Sequence, residues 1–243
     1  RTYVAWGWRA NGGTTASNSS GSITSTVQAN TKGGFSIMTY TGNGTGGATI
    51  GHGLSAKPDF ILIKRRSFDQ TWGVYHSSLG ATKYIALNTT AAAGTDSAFW
   101  NNTEPTSTLI TLGTEGRVNY NTATYVAYAW HNVDGYSRFG KYLGNYNADG
   151  QFIYTGFRPR MLFVKRSDGT NSWFVWDTAR TPANKMNSYL YWDLSNAEET
   201  GYAIDVVSNG FKIRGQNNAT NNNNGEFIYG AWGDVPFKYN NTF

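Results

Sequence analysis

A chain of 243 residues with 16% aromatic side chains, 29 glycines and 14% charged residues has too much core-forming material for disorder and no collagen-like period. It has no cysteine, which excludes a disulfide framework, a thiolate nucleophile and a thiolate metal site. The net charge of +5 comes from basic residues interspersed with acids, and the longest unbroken apolar stretch, 125–130, is far below the roughly 18 residues of a membrane-spanning helix, so no membrane insertion is expected.

The chain opens on Thr2-Tyr-Val-Ala-Trp-Gly-Trp8, which reads like the later Thr124-Tyr-Val-Ala-Tyr-Ala-Trp130. It is therefore expected to be the closing strand of a preceding unit. Residues 11–33, rich in Ser, Thr, Gly and Asn, read as a linker with one short strand at 22–27. Residues 1–33 are thus set apart from a first β repeat at 34–134 and a second at 135–243.

The repeat rests on four landmarks. Gly34-Phe-Ser recurs as Gly135-Tyr-Ser, and Pro58-Asp-Phe-Ile-Leu-Ile-Lys-Arg-Arg66 as Pro159-Arg-Met-Leu-Phe-Val-Lys-Arg-Ser167, both at an offset of 101. Trp72-Gly-Val-Tyr-His76 recurs as Trp173-Phe-Val-Trp-Asp177 at the same offset, and the Thr124 motif as Glu226-Phe-Ile-Tyr-Gly-Ala-Trp232 at 102. Short elements punctuated by turn formers predict an all-β fold with minimal helix: β-sandwiches built from two homologous repeats, side by side or merged.

In chain order, Gly42-Asn-Gly-Thr-Gly-Gly47 reads as a hairpin turn. The apolar runs 60–63 and 161–164 read as central strands covered on both faces. Alternation at 72–76 puts Trp72, Val74 and His76 on one face and Tyr75 on the other. Residues 184–187 and 194–199 alone look helical. Ser208-Asn-Gly210 predicts a hairpin with a type I′ turn, and 217–224 a polar loop with nothing to bury.

The chemistry-bearing signals are sparse. The three histidines, His52, His76 and His131, show no His-x-His or His-Glu-x-x-His spacing, and no Gly-x-Ser-x-Gly elbow occurs, so no metal, cofactor or catalytic residue is expected. Asp193, Asp205, Glu198 and Glu199 read as solvated. Lys64-Arg65-Arg66 and Lys165-Arg166 cap matching strand ends with Asp69 and Asp168 beside them, unlike the one-signed track a nucleic acid needs. The candidate ligand-binding residues are Trp72, Trp173 and Trp176 with His76 and Asp177 beside them, because the repeat keeps an aromatic strand there and varies its polar end. Such rings stack on sugars when exposed; the competing reading makes them core tryptophans with a polar strand terminus.

Gly34-Phe-Ser-Ile-Met-Thr-Tyr-Thr-Gly-Asn-Gly44, Gly51-His-Gly-Leu54 with Pro58, Val74-Tyr-His-Ser-Ser-Leu-Gly80, Gly156-Phe-Arg-Pro159, Ser208-Asn-Gly-Phe-Lys212 and Pro236-Phe-Lys-Tyr239 together resemble a repeated β-rich domain of bacteriophage virion proteins, frequent in tail-fibre-like proteins of marine phages. The resemblance implies a non-enzymatic structural and host-adhesion role at the extracellular surface of a virion, in a tail fibre, spike or capsid decoration. It implies other virion subunits as partners, a homo-oligomer with a trimer favoured, and contact with a host surface glycan. A polysaccharide-degrading depolymerase or lyase on a β-sandwich and a cellular extracellular adhesin are the alternatives.

Overall fold

The computed structural model describes residues 3–234. Its first half runs β1 (Ala16–Asn18), β2 (Ser25–Asn30), β3 (Phe35–Thr41), β4 (Ala48–Gly51), β5 (Phe60–Arg65), β6 (Gly73–His76), β7 (Lys83–Ala86), β8 (Gly94–Thr95), α1 (Ser97–Trp100), β9 (Leu109–Leu112), α2 (Gly116–Asn119) and β10 (Thr124–Trp130). The second runs β11 (Ser137–Leu143), β12 (Asp149–Tyr154), β13 (Met161–Arg166), β14 (Trp173–Asp177), β15 (Met186–Tyr191), β16 (Glu199–Val207), β17 (Gly210–Arg214) and β18 (Glu226–Trp232). The fold is all-β, and among the described residues its helices are two single turns.

The halves share one plan. The order β3-β10-β5-β6-β7 in the first large sheet matches β11-β18-β13-β14-β15 in the second, and the β4–β9 pair matches β12–β17. Buried hydrogen bonds repeat with the strands. Asn119 Nδ2–H donates to Thr45 O (2.9 Å) and Gly113 O (3.0 Å) while its Oδ1 accepts from Asn43 N–H (2.9 Å). Asn221 makes the same three bonds, to Asn147 O (2.9 Å), Gly215 O (3.0 Å) and from Asn145 N–H (2.9 Å). Tyr40 Oη–H donates to Val118 O (2.6 Å) and Tyr142 Oη–H to Thr220 O (2.7 Å).

Strand alternation sorts each apolar run between two layers. Ile61 and Ile63 of β5 enter a core between the first sheet and the β4–β9 pair, with Met38, Tyr75 and Trp100. Leu162 and Val164 of β13 enter the corresponding core of the second half. Phe60, Leu62, Met161 and Phe163 face the opposite way, into a third cluster where the two sheets pack face to face. This shared layer accounts for the aromatic load: Phe60 lies 5.6 Å from Phe139 and 5.0 Å from Phe163 across it.

Several expectations differ from the fold. Residues 3–9 form no strand; Thr2 and Pro236-Phe-Lys-Tyr239 lie outside the described residues. The segment read as a linker folds into β1 and β2, and the strand expected at 22–27 is Ser25–Asn30, because the edge of β3 supplies the hydrogen bonds its polar residues need. The 42–47 stretch crosses from β3 to β4 in different sheets, tied down by Asn119, and is not a hairpin.

Residues 184–187 and 194–199, which look helical in the sequence, run into β15 and β16 instead, where buried Met186 pairs with Ile204. Helix forms instead at α1, where Asp96 Oδ1 accepts the Ala98 N–H (2.8 Å) and the turn buries Phe99 and Trp100, and at α2. Ser208 and Asn209 do join a hairpin, but neither has a positive φ, so its turn is not type I′. The 217–224 loop buries Ala219, Thr220 and Asn221.

Candidate functional site

The face of the first sheet that meets the second half extends beyond it. In register across five strands stand Gln28, Ile37, Tyr128, Leu62 and Val74. The second half covers the Leu62–Val74 end of this row, whereas Gln28, Ile37 and Tyr128 remain partly exposed. The result is an apolar groove of about 630 Å³ floored by Phe35, Ile37, Tyr128 and Trp72 and rimmed by Arg9 and Gln28. Tyr128 is flanked in it by two near-parallel rings: its centroid is 6.3 Å from that of Trp72 at 27° and 6.5 Å from that of Phe35 at 6°.

Among the described residues, the second half has no groove at the matching place. Its counterpart of Tyr128 is Gly230, and a Cβ there would come within 2.4 Å of Phe163 Cε1 and 2.9 Å of Phe139. The missing side chain lets the two phenylalanines close over the strand.

The N-terminal segment forms the groove's outer wall. Trp8 stacks edge-on against both repeat-related tryptophans, with centroids 5.6 Å from Trp130 and 5.2 Å from Trp232. Trp6 Nε1–H donates to Asp177 Oδ2 of the second half (3.3 Å), and Asn30 Nδ2–H of the first half donates to Arg9 O (3.1 Å). The segment therefore bridges the halves. On its far side lies a polar groove of about 480 Å³ lined by Tyr136, Arg160, Asp177 and Arg180.

The five candidate residues do not form one site. Trp72 is half-buried and lines the apolar groove. Trp173 and Trp176 are fully buried, on opposite faces of β14, so neither presents a ring to solvent. Trp173 Nε1–H donates across the halves to Ala86 O (3.0 Å), and Trp176 Nε1–H to Tyr202 O (3.0 Å). Asp177 Oδ2 accepts from Arg180 Nε (2.6 Å) and its Oδ1 from the Arg180 backbone N–H (2.9 Å).

His76 is fully buried between the halves. Its Nε2 lies 3.1 Å from Tyr229 O and must carry the proton, because Nδ1 accepts the Ser78 N–H (3.1 Å). Burial lowers its pKa to about 4, outweighing the carbonyl bond that favours the proton. His52 is similarly committed, to Thr106 O (3.3 Å) and from Leu54 N–H (3.2 Å), and burial lowers it to about 4 as well. Neither ring has a nitrogen free to serve as a base.

Lys165, read as a solvated strand cap, is fully buried instead; its Nζ donates to Thr90 O (3.1 Å) of the other half and Asn171 O (2.7 Å), and burial lowers it to about 8. Asp205, read as solvated, is also buried, and its Oδ2 accepts from Arg214 Nε (2.6 Å). Among the described residues no group of three or more His, Asp or Glu is placed to hold a metal, and no helix is long and apolar enough to cross a membrane.

The groove residues missed in the sequence are Tyr128, Ile37, Trp6, Trp8, Arg9 and Gln28. One signal was present for Tyr128: it occupies a position that the other repeat fills with glycine.

The same ordered elements that build both halves and the groove span a recognised sequence family. The chain belongs to the family described as a domain of unknown function, DUF7483. The family profile matches residues 1–236, and so includes the tryptophan-bearing N-terminal segment as well as both halves of the DUF7483 fold. No curated protein and no solved structure matches the chain.

Proposed function

We propose that this domain is a non-enzymatic adhesion module of a phage virion surface, in a tail fibre, spike or capsid decoration, and that its apolar groove takes a host surface glycan. The observation that carries this reading is the half-exposed Trp72–Tyr128 pair, two near-parallel rings in a groove with a guanidinium and an amide at its rim. Flat aromatic faces accept the apolar face of a pyranose, while Arg9 and Gln28 supply hydrogen bonds to its hydroxyls.

The virion setting is supported by the ordered motifs quoted above, and multiple copies on a particle would turn weak single sites into firm attachment. A homo-oligomer, trimeric as fibres are, and other virion subunits are the partners that go with this reading.

The test is binding to an array of bacterial surface oligosaccharides. The wild-type chain binds a subset, and Trp72→Ala or Tyr128→Ala lowers affinity by about tenfold or more while far-ultraviolet circular dichroism is unchanged. Affinity unaltered in both variants overturns the assignment of the groove.

A further inference from the structure

The two halves differ at the seam between β3 and β4 in the first and β11 and β12 in the second. In the first half, residues 22–30 fill the gap between β3 and β4. Ile23 N–H donates to Thr49 O (2.9 Å) and Ser25 Oγ–H to Gly51 O (2.7 Å), and β2 then pairs along β3 from Thr26↔Thr39 to Asn30↔Phe35. Ile23, Ser25 and Val27 are buried, whereas Thr26 faces out.

Nothing equivalent precedes the second half, because Trp130 and Gly135 are separated by only four residues. The counterpart strands β11 and β12 are the two outermost strands of their eight-stranded sheet. Gly144 N–H bonds Gly225 O (2.9 Å), and antiparallel alternation then turns the N–H and C=O groups of Phe139, Lys141 and Leu143 away from β18. The turn before β11 occupies the beginning of this edge, where Asn132 Oδ1 accepts the Phe139 N–H (2.7 Å) and Val133 N–H bonds Ser137 O (3.0 Å). Among the described residues, Lys141 and Leu143 have no strand beside them.

Between them and β12 lies a groove of about 640 Å³ whose lining includes Tyr142, Leu143, Phe152, Ile153 and Tyr229. Leu143, Phe152 and Tyr154 are 53%, 47% and 61% exposed. Its floor is aromatic where the first half is aliphatic: Met38 and Ala127 are replaced by Gly140 and Tyr229, and a Cβ on Gly140 would come 2.7 Å from Tyr229 Oη.

We infer that the seam between β11 and β12 accepts one extended strand from a separate polypeptide, alternating small or apolar residues with polar ones as residues 22–30 do. The first half is the precedent, with the same strands and the seam occupied. A second copy of this chain is not the donor, because its own 22–30 segment is buried in its first half. The donor's ladder bonds would satisfy the open backbone groups of β11, and its inward side chains would rest on Tyr229. The exposed Lys141 stands where the first half has Thr39, the partner of Thr26, so the donor carries an acidic residue at the position of Thr26.

The test uses the full chain and a synthetic peptide of residues 20–31, read by amide hydrogen exchange. Peptide slows exchange at Lys141 and Leu143 by about tenfold and leaves Ile37 and Thr39 unchanged. A Thr26→Glu peptide binds several-fold more tightly. Lys141→Pro in the chain removes an outward N–H without breaking a bond to β18, and abolishes the effect. Leu143→Asp, on an exposed rim position, weakens it by about tenfold. No slowing at Lys141 and Leu143, or slowing confined to β3, overturns the inference. So does slowing that appears without peptide as protein concentration rises, which assigns the edge to a second copy.

Discussion

The two buried histidines make stability depend on acidity in a defined direction. Both have native pKa values lowered to about 4 by burial, so the unfolded chain takes up their protons first, at about 6.5. Their contribution is complete above about pH 6.5 and is lost as pH falls from there toward 4, roughly 3 kcal/mol for each at the lower limit. Urea midpoints measured at pH 7 and pH 4.5 should show this loss, and His76→Gln should shrink it while retaining a donor to Tyr229 O. The repeated asparagines supply a second residue-level expectation. Asn119→Ala and Asn221→Ala each strand buried backbone groups of an adjoining loop, and each should cost about 3 kcal/mol in equilibrium denaturation. A loss in only one of them would mean that the halves do not rest on the same polar anchor.

At the scale of strands, one position decides whether a half is open or closed. Gly230 allows Phe139 and Phe163 to meet over β18, and Gly230→Ala should cost about 1–3 kcal/mol through overpacking, measured as a lowered denaturant midpoint. The central strands were legible in the sequence, because a continuous apolar run such as 60–63 fits only a strand covered on both sides. The alternation of Trp72, Val74 and His76 against Tyr75 was legible for the same reason. Residues 16–30 were legible only as one short strand at 22–27, since Ser, Gln and Asn have little strand preference of their own and the full length of β2, with β1 beside it, pairs because β3 offers an edge. The groove was half legible. Trp72 stood out through its repeat with Trp173, but the repeat cannot say which of the two is buried; that depends on where the second sheet ends. The N-terminal tryptophans were visible as a motif, and their likeness to β10 pointed to a strand, whereas their indoles serve to cap the cleft between halves.

Taken whole, the molecule is two duplicated sandwiches joined through a layer that belongs to both. Trp173 bonds Ala86 O, His76 bonds Tyr229 O and Lys165 bonds Thr90 O across that layer, and Phe60, Phe139 and Phe163 pack within it. Such a layer couples the halves, so tryptophan fluorescence and far-ultraviolet circular dichroism should report a single coincident unfolding transition; two separated transitions would contradict a shared core. The same coupling gives the groove a rigid floor, carried by strands β2, β3, β10 and β5 and walled by a segment anchored to both halves. That floor is where the functional reading stands or falls. The most direct measurement is an indole N–H chemical-shift titration of the nine tryptophans with the oligosaccharide selected on the array. Saturable shifts at Trp72 and Trp8 are expected, with Trp176 unmoved in its separate core; saturating binding that leaves Trp72 and Trp8 unshifted would contradict a glycan site in the groove.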